Sequence, residues 1–491
     1  MSKPSTRLTV ITNRAPYAVR RRGRQRELVR SVGGLSVTLD DLLRRRGGTW
    51  LAWSGSGGRE KGRYVRPPLQ IHTLPSENGS PYRLKLLGLS EPEVAGFYHA
   101  FSNRSLWPLC HYFLGRSHFD VEDWQMYRRV NQVFVRAAAR LVPRGGLAWV
   151  HDFHLALVPA GLRAARPDVH IAVFWHIPFP APAVFRVLPW SKDLIAGLLG
   201  ADLIGFHTTE YADHFLQCVA QVVGAEIDAE ERSIRYGGRK IQIGAYPLGV
   251  EAETFSRLGV DRSVVQEAQR LRSRIGVEKI LLGVDRLDYT KGVLERLKAY
   301  EFLLKDHPDL HGKVCLLQIQ VPSREAVPEY RTLREQIDRT VGRIVGRFSS
   351  ASWTPLRYLH RGFSRSDLAA FYRAADVLLV TPLRDGMNLV AKEYVATRAD
   401  EDGVLVLSEF AGAAAQLPEA MHVNPFDITG LANNLHDALG VATRERRSSM
   451  RALRRRVFAE DVDWWVEQFL GDAATAGRRA RTKRRRRRTK S

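Results

Sequence analysis

The chain has 491 residues, with 75 Lys+Arg against 52 Asp+Glu and a formal net charge of +23. At roughly 100–200 residues per domain, this length suits about two to four domains. Hydrophobic content of 44% and charged content of 26% are those of a globular protein, which excludes global disorder.

The first strand signal lies at residues 8–13 (LTVITN), followed by apolar runs at 147–152, 170–177, 203–207 and 242–248, with helical patterns between most of them. The rhythm restarts after residue 251, with strand-like runs at 279–284, 314–321, 377–380 and 404–407 and a helical pattern at 364–374. Alternating strands and helices predict parallel βαβ units, and two such series predict two Rossmann-like domains facing each other across a cleft. The expected division is 1–248, 249–455, a helical segment 456–472 and a basic tail 473–491, with a hinge near 247–251. No run approaches the ~20 apolar residues of a membrane span, and the N-terminus lacks a signal-peptide pattern. Three scattered cysteines, Cys110, Cys218 and Cys315, form neither a disulfide framework nor a metal knuckle, so the expected compartment is the reducing cytoplasm.

The charge is uneven. The tail RRARTKRRRRRTK (residues 478–490) holds ten cations and no acid, a composition expected to be disordered. It is an arm for weak contact with nucleic acid or other polyanions, or simply a solvated terminus, and the second reading is favoured.

In open α/β sheets ligands bind beyond the carboxyl ends of the strands, which is where the unusual residues fall. Arg286 and Lys291 sit five residues apart in GVDRLDYTKG (283–292). Two fixed cations there suit a departing diphosphate; a surface loop with an Asp285–Arg286 pair accounts for the same letters. In TPLRDGMNLVAKEYVA (381–396), Asp385 and Gly386 make a turn before a helix at 388–396, whose free N–H groups offer an anion site. Glu393 on that helix could accept hydrogen bonds from a diol, or lie on a solvated face. Gly33 and Gly34 in VGGLSVT permit close backbone approach. Trp50, Trp53, Tyr98 and Trp107 are stacking platforms or core fillers. The HDFH string (151–154) and His176 suit hydrogen bonding to polar substrate groups better than metal, since no complete ligand spacing accompanies them. Asp461 reads as a helix cap rather than one of a paired-aspartate metal site.

Several long strings occur together in order: VGGLSV, SNRSLWP, HDFHL, HIPFP, GVDRLDYTKG, PLRDGMNLVAKEYVA and LSEFAGAA. Through them residues 7–469 resemble the trehalose-6-phosphate synthases, a family of retaining glucosyltransferases with two facing Rossmann-like domains. The resemblance implies that Arg286 and Lys291 grip the diphosphate of a nucleoside-diphosphate glucose, with UDP-glucose the family default, and that Glu393 holds its ribose. It places the backbone of Leu389, Val390, Ala391, Lys392 and Glu393, with Phe363, along the nucleotide, and has Asp385 and His176 orient the donor glucose while Gly33 and Gly34 approach it. Arg14, Trp53, Tyr98, Trp107, Asp152 and Arg324 would bind glucose-6-phosphate.

The implied reaction retains the α configuration and uses no protein nucleophile, bound metal or cofactor. The acceptor's proton passes to the leaving phosphate. A basic segment at 15–31, the Arg-rich tail and Phe153 in place of the usual Tyr depart from the family pattern. No phosphatase motif is present, so a separate trehalose-6-phosphate phosphatase is expected downstream. Homo-oligomerisation is compatible with the sequence but not legible in it.

Glucosylglycerol-phosphate synthases are the nearest alternative, but they depart from VGGLSV and lose the equivalent of Arg324. A pseudo-glycosyltransferase joining cyclitols is disfavoured, as is a pyridoxal-phosphate phosphorylase, whose lysine string is unrecognisable here. From a different class, nucleic-acid binding through the tail remains secondary, because no nucleic-acid fold signature accompanies the charge.

Overall fold

The computed structural model describes residues 8–22, 25–30, 34–60, 63–77, 79–324 and 327–488. It divides into two compact units, Met1–Tyr246 with Val466–Ser491, and Pro247–Trp465.

The first unit is built on an 11-stranded sheet. Its parallel strands lie in the order Arg239–Ala245, Leu203–Phe206, His170–Phe174, Leu147–His151, Leu8–Arg14, Gly48–Glu60 and Tyr82–Ser90. Antiparallel strands complete it: Glu226–Asp228 and Ser233–Tyr236 at one edge, Gln70–Leu74 at the other, and Arg63–Tyr64 against the end of Gly48–Glu60. The central strands read as continuous apolar runs because both faces are covered, and Leu8–Arg14 is buried until Arg14 at its end. In the basic segment after this strand, Tyr17–Arg22 pairs antiparallel with Gln25–Arg30.

The second unit carries a six-stranded parallel sheet, in the order Leu356–Leu359, Val314–Val321, Lys279–Arg286, Val377–Val380, Val404–Ser408 and Met421–Val423. Its core joins Ile280, Leu282 and Val284 to Leu378, Val380, Leu405 and Leu407, with Ala391, Tyr394 and Val395 packed against them from the helix Leu389–Thr397. A close approach fixes one turn here. Gly292 has φ +63°, and a Cβ built on it would lie 2.1 Å from the Thr381 carbonyl oxygen, so a side chain would separate the two loops that carry Lys291 and Asp385.

The C-terminal segment departs from expectation in three ways. Residues 456–459 finish the helix Thr443–Ala459 of the second unit instead of opening a separate helical segment. From Val466 the last helix, Val462–Arg488, belongs to the first unit. Phe469 stacks on Trp149 at 5.1 Å and meets Phe174 and Tyr246 edge-on, while Tyr246 donates to Asp472 at 2.8 Å. Asp461 caps this helix, accepting from the Trp464 N–H at 2.9 Å. The helix continues to Arg488, where the composition predicted disorder. A helix already nucleated on packed aromatics extends cheaply, and arginine is a good helix former. Residues 489–491 lie outside the described residues. No helix among the described residues is long and apolar enough to cross a membrane.

Candidate active site

Parallel sheets place their loops of consequence at the carboxyl ends of the strands, and in the second unit those ends gather cations. Arg286 closes the strand Lys279–Arg286 and is exposed. Lys291 follows in the short turn Tyr289–Lys291, and Arg324 lies just past Val314–Val321 with φ +49°. The buried Asp288 is their common neighbour. It accepts from Arg324 Nη1 at 3.0 Å, from the Tyr330 hydroxyl at 3.2 Å and from Thr290 Oγ1 at 3.0 Å. Burial raises the Asp288 pKa, but Arg324, Arg286 and Lys291 outweigh it and leave a net depression. One buried carboxylate thus neighbours all three cations. The Asp285–Arg286 pair of the surface-loop reading does not form: Asp285 accepts from Arg296 Nη1 at 2.6 Å in a buried network that includes Gln318 and Thr381.

Lys291 Nζ donates to Asp385 Oδ2 at 2.5 Å, and Asn388 Nδ2 donates to the same oxygen at 3.0 Å. Asn388, at φ +75°, precedes the helix Leu389–Thr397, which starts within a residue of expectation, while Asp385 forms an isolated parallel bridge with Ala411 in place of the expected turn. Leu389 and Val390 stay partly exposed in its first turn, while Ala391 and Lys392 are buried. The Lys392 side chain turns to the chain itself, donating to the Leu248 carbonyl at 2.7 Å and to Gln416. Burial pulls the Lys392 pKa down to about 7 against the pull of Glu460.

Glu393 is half-buried and accepts from the Tyr372 hydroxyl at 2.9 Å. Its desolvation pushes the carboxyl up to about 7 despite the lowering effects of Tyr372 and Arg365. This is not an acid on a solvated face. Phe363 packs edge-on against Phe371 at 4.9 Å, with Arg361 over its ring.

In the first unit the same rule holds. Arg14 ends its strand with its guanidinium 4.5 Å from the Trp53 ring and 4.7 Å from the Tyr98 ring, two cation–π contacts, and its Nη1 donates to the Gly55 carbonyl. Trp53 and Tyr98 meet at 5.6 Å, and Tyr98 stacks on His154. Both tryptophans are buried, but Trp50 donates to Thr12 Oγ1 while Trp53 meets Arg14 and Tyr98, which separates the two that sequence alone left ambiguous. Tyr98 stands in a π-helical stretch, Val94–Leu106, and Trp107 follows it, buried against His111 and Phe153.

Asp152 takes φ +73° just past Leu147–His151 and accepts from the Phe153 N–H at 2.9 Å and the His176 N–H at 3.4 Å. Burial raises its pKa, yet His154, His176 and the Phe153 N–H bring the balance below the ordinary value. His176 follows the strand His170–Phe174, its Nε2 3.0 Å from His151 Nδ1. Burial holds His176 well below its ordinary pKa, against the opposing pull of Asp152. Gly34 opens the helix Gly34–Arg46; Gly33 lies outside the described residues.

The structure therefore brings Arg286, Lys291, Arg324 and Asp385 into one neighbourhood of the second unit, and Arg14, Trp53 and Tyr98 into one cluster of the first. Sequence reasoning missed Asp288, Tyr330, Asn388 and Tyr372. Asp288 had a signal, as a second acid inside GVDRLDYTKG; Tyr372 had none. Among the described residues, no group of three or more histidine, cysteine or carboxylate side chains is disposed to hold a metal ion.

Comparison with known proteins gives the same direction. The model of Glycosyltransferase family 20 matches residues 6–475. The trehalose-6-phosphate synthase of Mycobacterium marinum is 44% identical over 449 residues, 90% of this chain and 88% of its own. The crystal structure of a UDP-forming α,α-trehalose-phosphate synthase from Burkholderia xenovorans in complex with glucose-6-phosphate is 35% identical with TM-score 0.87, covering 95% of this chain and 100% of that one. An E. coli trehalose-6-phosphate structure bound with UDP-2-fluoro glucose is 35% identical with TM-score 0.86, covering 95% and 99%. The chain belongs to glycosyltransferase family 20, and it is a glycosyltransferase of the trehalose-6-phosphate synthase group.

Proposed function

We propose that this chain transfers glucose from UDP-glucose to glucose-6-phosphate, with retention of the α configuration and without a bound metal, to form α,α-trehalose 6-phosphate. The observation that carries the reading is the set of three cations around Asp288, one of which, Lys291, is already oriented by Asp385. Phosphoryl oxygens entering there meet charge-assisted donors held in place before the ligand arrives. The relatives add the chemistry of the two substrates: one was solved with glucose-6-phosphate and one with a UDP-2-fluoro glucose.

In this reading Arg286 and Lys291 neutralise the diphosphate as the bond from the anomeric carbon to its oxygen breaks. Glu393 receives the ribose hydroxyls, and Phe363 with the backbone of Leu389, Val390, Ala391, Lys392 and Glu393 lines the nucleotide. Asp385 and His176 orient the glucose, with Gly33 and Gly34 against it. Arg324 and Arg14 take the acceptor's phosphate, while Trp53, Tyr98, Trp107 and Asp152 hold its sugar. The acceptor hydroxyl attacks the oxocarbenium-like carbon from the face the diphosphate leaves. Its proton passes to the leaving phosphate oxygen, so no protein nucleophile is required.

The test is the anomeric outcome. Proton NMR of the product made from UDP-glucose and glucose-6-phosphate should show two α anomeric signals. A β linkage, or no disaccharide phosphate, defeats the reading.

The cytoplasm is the proposed compartment, and a separate phosphatase the proposed consumer of the product. A self-associated state and weak contact of the tail with polyanions are further proposals that rest on the sequence.

A further inference from the structure

Two neutral imidazoles that share one hydrogen bond must divide their protons in one of two ways. His151 Nδ1 and His176 Nε2 are 3.0 Å apart, with the rings nearly parallel. His151 is 1% exposed and lies against Trp149 at 4.5 Å. Its other nitrogen, Nε2, is buried and meets no hydrogen-bond partner among the described residues.

If His176 donates through Nε2, the His151 proton must sit on its own Nε2 and becomes a buried, orphaned N–H. If His151 donates through Nδ1, its Nε2 keeps only a lone pair. Orphaned N–H groups are the rarer of the two in folded proteins, so the second arrangement prevails.

We propose that His151 is a positioning residue that fixes His176 as the Nδ1–H tautomer, making His176 a hydrogen-bond donor to substrate oxygen and not a base. The inference deepens the proposed function, and rests on its placing of His176 at the donor sugar. The Nε2 lone pair of His176 is occupied by the His151 N–H, and its Nδ1 carries the ring's single proton. No lone pair is left to take the acceptor's proton, which agrees with transfer to the leaving phosphate.

Burial pushes the His151 pKa down to about 3 and holds His176 well below its ordinary value, so both rings are neutral near pH 7. Asp152 and His207 are the titratable groups that act on His176 besides His151.

The test is ring-nitrogen NMR of the full chain labelled with ¹⁵N-histidine, the His176 signals being assigned by their loss in His176→Asn. The expected result is a protonated Nδ1 and an unprotonated Nε2 in His176 at pH 7. In His151→Phe, which has no donor, the two tautomers should mix and kcat fall about 10-fold, as for loss of one oriented hydrogen bond. KM for glucose-6-phosphate should stay within about twofold. His151→Asn, whose amide can still donate, should keep the wild-type tautomer and stay within about threefold in kcat. A proton on His176 Nε2 in the wild type overturns the proposal, whether or not the variants fold. So does a folded His151→Phe protein with unchanged tautomer and kcat. UDP-glucose should shift the His176 Nδ1 resonance; no shift would overturn the sugar contact assumed by the proposed function while leaving the tautomer assignment standing.

Discussion

Lys291 and Asp385 are 94 residues apart in the chain, yet Lys291 Nζ donates to Asp385 Oδ2 at 2.5 Å, with only 12% and 15% of the two side chains exposed. A lysine so held has lost most of its rotamer freedom before any ligand binds, and its charge sits where solvent screening is weak. Asn388 shares the carboxylate, which ties the lysine to the start of the helix Leu389–Thr397. The pair is thus an oriented cation rather than a surface ion pair.

Lys291→Ala should therefore lower kcat by about 10²- to 10³-fold, roughly 2.7–4 kcal/mol, the usual effect of removing one preorganised donor at a developing oxyanion. Stopped or continuous assay of nucleotide release measures it. A loss below about threefold would mean that Lys291 only braces the fold. Chelator should leave the wild-type rate intact, since the charge neutralisation is assigned to side chains. Inactivation by chelator with rescue by Mg²⁺ or Mn²⁺ would contradict that assignment.

Glu393 gives a pH dependence. Its folded-state pKa is raised to about 7, from the 4.5 of a free glutamate, chiefly by burial. The folded apo protein therefore holds this proton more tightly than the unfolded chain does. The resulting stability is complete below about pH 4.5 and is lost as pH rises toward 7. Glu393→Gln should flatten that part of the apo thermal-stability profile, raising the midpoint at pH 8 relative to pH 5. The same protonation weakens an acceptor for the ribose diol, so KM for the donor should rise as pH falls through about 7. A donor KM that stays flat from pH 6 to 8 would remove Glu393 from the ribose site.

Arg324 separates the acceptors. Charge-assisted hydrogen bonds are worth roughly 1.5–3 kcal/mol each, so Arg324→Ala should weaken kcat/KM for glucose-6-phosphate about 10- to 150-fold. Unphosphorylated glucose, a poor acceptor, should be nearly indifferent. Asp288→Asn should move glucose-6-phosphate use in the same direction by less, because it frees the guanidinium without removing it. Equal losses with both acceptors would show that Arg324 does not read the phosphate.

The tail is expected to be dispensable for transfer. Deleting residues 478–491 retains Phe469, Asp472 and the helix turn at Gly477 that lies against His170, so folding should survive. Transfer kinetics should change by less than about twofold, while salt-sensitive retention on heparin should drop. A large loss of kcat in the truncated chain would mean that the arm serves the reaction.

The strands at 8–14, 147–151, 279–286 and 377–380 were legible because burial on both faces writes them as unbroken apolar runs. Gly48–Glu60 was not, although it pairs along the sheet with Leu8–Arg14 and Tyr82–Ser90. Its glycine-rich second half has the composition of a loop, and only its neighbours make it a strand. Met421–Val423 and Leu356–Leu359 are too short to show a period. At the site, Arg286, Lys291 and Asp385 stood out as charges at strand ends. Tyr372, which bonds Glu393, lies in an ordinary amphipathic helix, Arg365–Ala374, and only tertiary packing brings the two together. The extension of the last helix to Arg488 is not legible, because composition carries no information about where a helix is anchored.

Glucosyl transfer from a uridine nucleotide to a phosphorylated glucose is read directly by nucleotide-release kinetics. The panel is UDP-, ADP- and GDP-glucose as donors and glucose-6-phosphate, glucose and glycerol-3-phosphate as acceptors. The expected result is that kcat/KM is highest for UDP-glucose with glucose-6-phosphate, and that release depends on the acceptor and persists in chelator. Faster turnover with glycerol-3-phosphate than with glucose-6-phosphate, or release that ignores the acceptor, would contradict it.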